Sequence, residues 1–287
     1  QPACVELLLN DSTGAVNYPD DKGKTVLWYA LKDCKSCSKN GIVELLLKKR
    51  ANPYDMHGCS FLMDRELRIC DECMEMLCKN GLDPLKECVD RGNPLHHICK
   101  EDVYMEPLLK HCSLATLKSK TTNKPAIWYA LKNCGGCEKD KCVQKLLKHG
   151  ANVEDYTTEQ GCNMMMDADL EICDQCVRLL HDHGFDTDGH VKTCTEGYAL
   201  IWWCKNSDRD INVLLETCPN IENKDEQGNT ALDISKKTEN KECIKMIKSY
   251  RERSECTLGD VEEMPCDGKI QKSQCKCKNG TTLWNPP

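Results

Sequence analysis

Apolar residues along this chain come in brief clusters divided by polar turns. Leu27-Trp28-Tyr29-Ala30-Leu31 is followed ten residues later by Ile42-Val43, a single Glu44, and Leu45-Leu46-Leu47, and pairs of this kind recur to about residue 253. Clusters of this length predict a module of roughly 30 to 35 residues that reads as turn, short helix, loop and longer helix. The pattern is also duplicated at about 100 residues. Leu27 to Lys32 with Cys34 and Cys37 returns as Ile127 to Lys132 with Cys134 and Cys137, and Leu67-x-Ile69-Cys70-Asp71-x-Cys73 returns as Leu170-x-Ile172-Cys173-Asp174-x-Cys176. Cys99 and Cys112 are answered by Cys204 and Cys218. Modules this short bury their apolar faces only against neighbours, so a stacked array is expected rather than a domain with one central core.

The clearest spellings of the module are Asn93-Pro94-Leu95-His96-His97-Ile98-Cys99, Asp225-Glu226-Gln227-Gly228-Asn229-Thr230-Ala231-Leu232-Asp233, and the ending Leu146-Leu147-Lys148-His149-Gly150-Ala151-Asn152, echoed at Leu46 to Pro53. These resemble the turn, first-helix and second-helix signatures of ankyrin repeats. The resemblance implies an all-α ankyrin-repeat solenoid over residues 1–253, with modules beginning near Asp20, Asp55, Asp90, Thr121, Gln160, Thr195 and Asp225. Gly150 would close a second helix with positive φ. Departures are frequent: Trp28 and Trp128 stand where the family has a buried His, and Met63 and Met165 fall in matching slots. Past Arg253 the periodicity stops, and residues 254–287, with Cys256, Cys266, Cys275 and Cys277, read as a small disulfide-stapled tail in which three pairings are open.

Composition narrows the picture. The 24 cysteines and a first residue that is Gln rather than Met point to a secreted protein that has lost a signal peptide. Asn10 and Asn279 sit in glycosylation sequons. A net charge of −7, with Lys and Glu interleaved, argues against a nucleic-acid groove, and no apolar run is long enough to span a bilayer. The paired spacings Cys34/Cys37 with Cys70/Cys73, and Cys134/Cys137 with Cys173/Cys176, fit either a four-sulfur zinc site or disulfides between neighbouring modules. Compartment and count favour disulfides, with no metal and no cofactor. Since equivalent atoms of packed neighbours lie about 10 Å apart, bonded cysteines are expected to be offset between modules.

No metalloprotease, nucleophile-elbow, phosphate-loop or dinucleotide motif is present, and a non-enzymatic protein is expected. In the ankyrin reading His96 would tie down a hairpin, while His149 and His183 precede Gly at helix ends, where a cation suits the dipole. Met164-Met165-Met166 belongs to the core of a first helix. Trp202 and Trp203 point about 100° apart, so they cannot share one interface, and Trp202 is a candidate contact anchor.

The resemblance further implies a protein-binding surface of hairpin tips and first helices. That places Asp21, Lys22, Lys24, Lys32 and Asp33 in one module, Met56 and His57 in the next, and Lys100 and Glu101 in the third. Asn123, Lys124, Lys132 and Asn133 follow in the fourth, and Glu226, Gln227 and Asn229 in the last. The expected role is binding of protein partners, as an effector, a secretion or venom component, or a subunit of an oligomer or larger extracellular assembly. The alternatives are a toxin-like or inhibitory activity housed in the tail, and an intracellular zinc-binding protein.

Overall fold

The computed structural model describes residues 15–32, 41–101, 103–132, 141–154, 156–189, 194, 196–206, 210–217, 219–254, 275–278 and 281–284. Contacts divide the chain into two compact units, Gln1–Asn152 and Val153–Pro287. Both units repeat one module: a hairpin turn, a short first helix or helical turn, and a second helix.

The hairpin is written the same way four times. Asp20, Asp55, Thr158 and Asp225 each donate their amide to the carbonyl four residues on, at 2.8–2.9 Å, and each carbonyl accepts from the glycine three residues on, Gly23, Gly58, Gly161 and Gly228. Their side-chain oxygens also accept the amide of Lys24, Cys59, Cys162 and Asn229 at 2.7–3.0 Å. The glycines have φ between 71° and 79°, the left-handed region in which a side chain is strained. Hairpins at Cys88–Gly92 and Ser119–Lys124 close by comparable backbone bonds. The turns thus begin at Asp20, Asp55 and Asp225 as the sequence indicates, but at Cys88, Ser119 and Thr158 instead of Asp90, Thr121 and Gln160.

A capping residue follows five of these six turns and starts the first helix. Thr25, Ser60, Asn93, Asn163 and Thr230 accept the amides of Trp28, Leu62, Leu95, Met165 and Asp233, satisfying donors that a helix start leaves orphaned. At Asn93 the side chain also donates to the Leu85 carbonyl, while His96 is exposed. The tie expected of His96 is therefore made by Asn93, whose amide supplies both an acceptor for the helix and a donor for the preceding loop.

In the first unit the hairpins lead into α1 (Val26–Lys32) and α2 (Ile42–Lys48), a 3-10 turn (Phe61–Met63) and α3 (Asp71–Lys79), α4 (Pro94–Glu101) and α5 (Met105–His111), and α6 (Ala126–Lys132) and α7 (Cys142–Lys148). The second unit holds a 3-10 turn (Met164–Met166) and α8 (Asp174–Asp182), α9 (Ala199–Asn206) and α10 (Asn212–Glu216), and α11 (Ala231–Lys237) and α12 (Lys241–Ser254). The body is helical. The tail adds an antiparallel pair, β1 (Cys275–Lys278) with β2 (Thr281–Trp284), in which Cys275 faces Trp284 and Lys278 faces Thr281.

Two first helices are cut to a single 3-10 turn, at the same place in the duplicated segment. Asp64 and Asp167 cause this locally, because each carboxylate accepts the amide two residues on, from Glu66 and Asp169, which replaces the bond that would extend the helix. Met164, Met165 and Met166 are all buried, as expected, but in this turn rather than in a full helix. At the other end of the module, His149 and His183 cap α7 and α8 with Nδ1 at 2.9 and 2.8 Å from the carbonyls of Lys145 and Leu179, and Gly150 and Gly184 follow at φ 85°.

Cysteines bolt neighbouring modules together. Cys59–Cys88, Cys78–Cys112 and Cys99–Cys142 are disulfides in the first unit, and Cys162–Cys194 and Cys204–Cys243 in the second, spanning 29 to 43 residues with Cα atoms 4.4–5.8 Å apart. Cys162–Cys194 and Cys204–Cys243 are the duplicates of Cys59–Cys88 and Cys99–Cys142. His181 stands where Cys78 does, so that third bond has no copy. Cys78 and Cys112 lie at nearly equivalent places, the last turn of α3 and the cap of α5, with Cα atoms 5.2 Å apart. The expected offset does not apply to them: the 10 Å figure describes helix axes, and residues on facing sides approach much closer. Cys73 and Cys176 are also disulfide-bonded, which removes both sulfurs from a zinc reading. Cys70 and Cys173 are the N-cap residues of α3 and α8. Cys34, Cys37, Cys134, Cys137, Cys256, Cys266 and the glycosylation sites Asn10 and Asn279 lie outside the described residues.

Candidate protein-binding surface

In the first unit, successive hairpins touch side by side. The Met56 sulfur lies 3.2 Å from the point where a Cβ on Gly23 would sit, which joins the first tip to the second. The Cys59–Cys88 bond and an ion pair from Arg91 to Asp55, at 3.1 Å, join the second to the third. This ribbon of tips and the first helices beside it carry every exposed large apolar side chain among the described residues: Tyr18 (74% exposed), Val26 (46%), Tyr29 (41%), Met56 (64%) and Val89 (96%). Exposed apolar residues scattered singly need no explanation, but all five fall between residues 18 and 89, within the first three modules.

Polar contacts fix the frame around these residues. Tyr29 donates its hydroxyl to Asp20 at 2.7 Å, and that bond holds the Asp20 carboxyl below its ordinary range and lifts the Tyr29 phenol above its own. Trp28 is buried and donates Nε1 to Asp64 at 2.8 Å, while Lys24 donates to the same oxygen at 2.6 Å. The Lys24 and Lys32 ammonium groups stand 4.4 and 4.7 Å from the Trp28 ring centroid. Lys124 and Lys132 clasp Trp128 in the same way, at 3.6 and 4.9 Å. The Trp28 indole thus offers both a donor to Asp64 of the next module and a face for two cations. Burial raises the Asp64 carboxyl, yet bonds from Lys24, the Glu66 amide and Trp28 outweigh it, and the net displacement is downward.

Of the residues assigned to the surface, Asp21, Lys22, Lys32, Met56, His57, Lys100, Glu101, Asn123, Lys132, Glu226 and Gln227 are exposed. Lys32 and Glu101 are engaged in ion pairs with Glu66 and Arg65. Lys24 and Lys124 are only partly exposed and spent on the tryptophans. Asn229 is part of the hairpin itself, donating to Asp225 and accepting from Lys237 at 2.6 Å. Trp202 is partly exposed, whereas Trp203 is buried and donates Nε1 to the Met165 carbonyl at 2.8 Å. Asp33 and Asn133 lie outside the described residues. The sequence reading missed Tyr18, Val26, Tyr29 and Val89 because it sought polar tip residues; a Val at the apex of the third turn, beside Asp90 and Arg91, was the available signal.

Among the described residues no three His, Cys, Asp or Glu side chains converge as a metal-ligand set, and no helix is long and apolar enough to cross a membrane. No family model matches the chain, and no curated protein does. Several solved structures are similar at low identity. The ankyrin repeat domain of Bcl-3, a member of the IkappaB protein family, is 17% identical over 79% of this chain and 99% of its own, with a TM-score of 0.48. The human ASB11 ankyrin repeat domain is 20% identical over 74% of this chain and 92% of its own, with a TM-score of 0.43. A complex of a predatory endopeptidase and immunity protein Bd3460 from Bdellovibrio bacteriovorus contains a chain 20% identical over 62% of this one and 96% of its own, with a TM-score of 0.43.

Proposed function

We propose that this ankyrin-type repeat protein is an exported, non-enzymatic binding protein whose first unit grips a protein partner through three adjoining hairpin tips. The confinement of Tyr18, Val26, Tyr29, Met56 and Val89 to that stretch carries the reading, since apolar anchors on a rigid, cross-linked frame lose little entropy on binding. Repeat-spaced disulfides support an oxidising destination such as the extracellular space. Residues 254–287 are an appendage in this reading, and the partner is an effector target or a fellow subunit of an assembly.

The test uses a photo-crosslinking residue at position 56 or 89, with position 110 on α5 as the control. Adducts that form from 56 and 89 but not from 110, and that disappear in a Met56→Asp/Val89→Asp variant with an unchanged circular dichroism spectrum, are expected. Equal labelling from 110, or full binding by the double variant, refutes the proposal.

A further inference from the structure

A second feature of the first unit lies between the second and third modules. Asp64, Arg65, Arg68, His97, Glu101, Val103 and Tyr104 line a cavity of about 120 Å³, room for several waters and so for a carboxylate group. Its two anions are already committed. One Asp64 oxygen accepts from Lys24 and Trp28 and the other from the Glu66 amide, while Glu101 accepts from Arg65 at 3.2 Å.

The cations are less fully used. Arg68 is exposed, donates Nη1 to the Leu67 carbonyl at 3.3 Å, and pairs with no carboxylate among the described residues. Arg65 keeps a largely exposed guanidinium, with a side-chain exposure of 73%. With Lys24 beside Asp64, three cations face two carboxylates. Tyr104 forms one wall at φ 61°, a left-handed conformation costly for an aromatic residue; its hydroxyl donates to the Leu67 carbonyl at 2.9 Å and accepts the Ile69 amide at 3.3 Å, which holds the ring there.

The duplication supplies an internal comparison. Asp64, Leu67, Ile69 and Cys70 are kept as Asp167, Leu170, Ile172 and Cys173. Arg65, Arg68, His97 and Glu101 become Ala168, Glu171, Trp202 and Asn206. One scaffold therefore carries two different linings, and the basic one is confined to the first copy. Core packing cannot be what requires the arginines, since Ala168 and Glu171 occupy the same scaffold positions and are exposed.

From this lining we infer that the cavity is a receptor for an acidic side chain, Asp or Glu, of the bound protein, clamped by Arg68 and Arg65 beside His97. The inference rests on the reading of the first unit as a protein-binding surface, and it adds the chemistry of one anchor. An arginine fork suits a carboxylate, and a partly enclosed site screens such a pair less than open surface does. Burial lowers the His97 imidazole below its ordinary value, opposed by the Glu101 charge, so acidification adds a third donor to the clamp.

The experiment titrates the folded, disulfide-bonded chain with an acetylated and amidated hexaglutamate peptide, with hexaglutamine, and with inorganic phosphate, and follows the His97 ring by NMR. The glutamate peptide is expected to move the His97 signals and raise its pKa. Its binding is expected to weaken at least tenfold in Arg68→Glu and several-fold in Arg65→Ala, two substitutions already present in the second copy. Met56→Asp/Val89→Asp is expected to bind the peptide as the wild type does, which separates failure of this anchor from failure of the hairpin-tip site. Equal binding of hexaglutamine, equal binding of phosphate, or an Arg68→Glu chain that binds undiminished would each overturn the inference.

Discussion

Replacing Asp188 with Asn should make the second unit more stable at pH 8 and remove most of its pH dependence. The Asp188 carboxyl is 5% exposed; one oxygen accepts the Leu200 amide at the start of α9, at 2.8 Å, and the other has no direct hydrogen-bond partner. Burial, with the Asp186 charge adding to it, raises the carboxyl from 3.8 to about 7, against smaller contributions from the Leu200 amide and Asn223. A rise of that size corresponds to about 4 kcal/mol at roughly 1.36 kcal/mol per pH unit. Because the folded chain holds the proton more tightly than the unfolded one, the stabilisation is complete below about pH 4 and is lost as pH rises to about 7. Between pH 5 and pH 8 the wild type should lose about 3 kcal/mol that the Asn variant keeps. Hydrogen exchange at the α9 amides, corrected for intrinsic rates and with disulfides intact, reads this directly. Identical pH profiles for the two proteins, or a variant less stable at pH 8, would refute the reasoning that an ionised Asp188 is penalised by its surroundings.

Three further outcomes can be checked by urea unfolding with circular dichroism. Trp203→Phe keeps the buried ring but leaves the Met165 carbonyl without its 2.8 Å donor, and should cost about 1 to 3 kcal/mol. Cys162→Ser with Cys194→Ser opens a loop spanning 32 residues and should cost about 3 to 4 kcal/mol by chain entropy; an unchanged midpoint would mean that the hairpin contacts alone fix that junction. Gly184→Ala meets no atom within 4 Å, so its cost, about 1 to 2 kcal/mol, is that of a side chain at φ 85°, and Gly184→Asn should recover part of it.

The module was visible in the sequence wherever local chemistry writes it. Asp20, Asp55 and Asp225 with a glycine three residues on announce the turn, and Gly150 announces a helix end, because those conformations admit few residue types. Other features depended on neighbours. Asp64 and Asp167 stop their helices through an amide two residues away, a spelling also found in solvated loops. Nothing local marks Cys59 and Cys88 as partners, since neither sits in the paired spacing that drew attention to Cys34/Cys37 and Cys70/Cys73. The surface was the least accessible part. Lys24 and Lys124 looked like free cations until the indole faces they cover were in view, and exposed valines at 26 and 89 were indistinguishable from core residues in a string of letters.

Three disulfides of the first unit, Cys59–Cys88, Cys78–Cys112 and Cys99–Cys142, interlace, and this has a consequence for survival among proteases. Cys59–Cys88 overlaps Cys78–Cys112, which in turn overlaps Cys99–Cys142, so every peptide bond from Cys59 to Cys142 lies inside at least one covalent loop. A single nick anywhere in that stretch leaves both fragments chained together, and the hairpin tips stay in register until a reductant arrives.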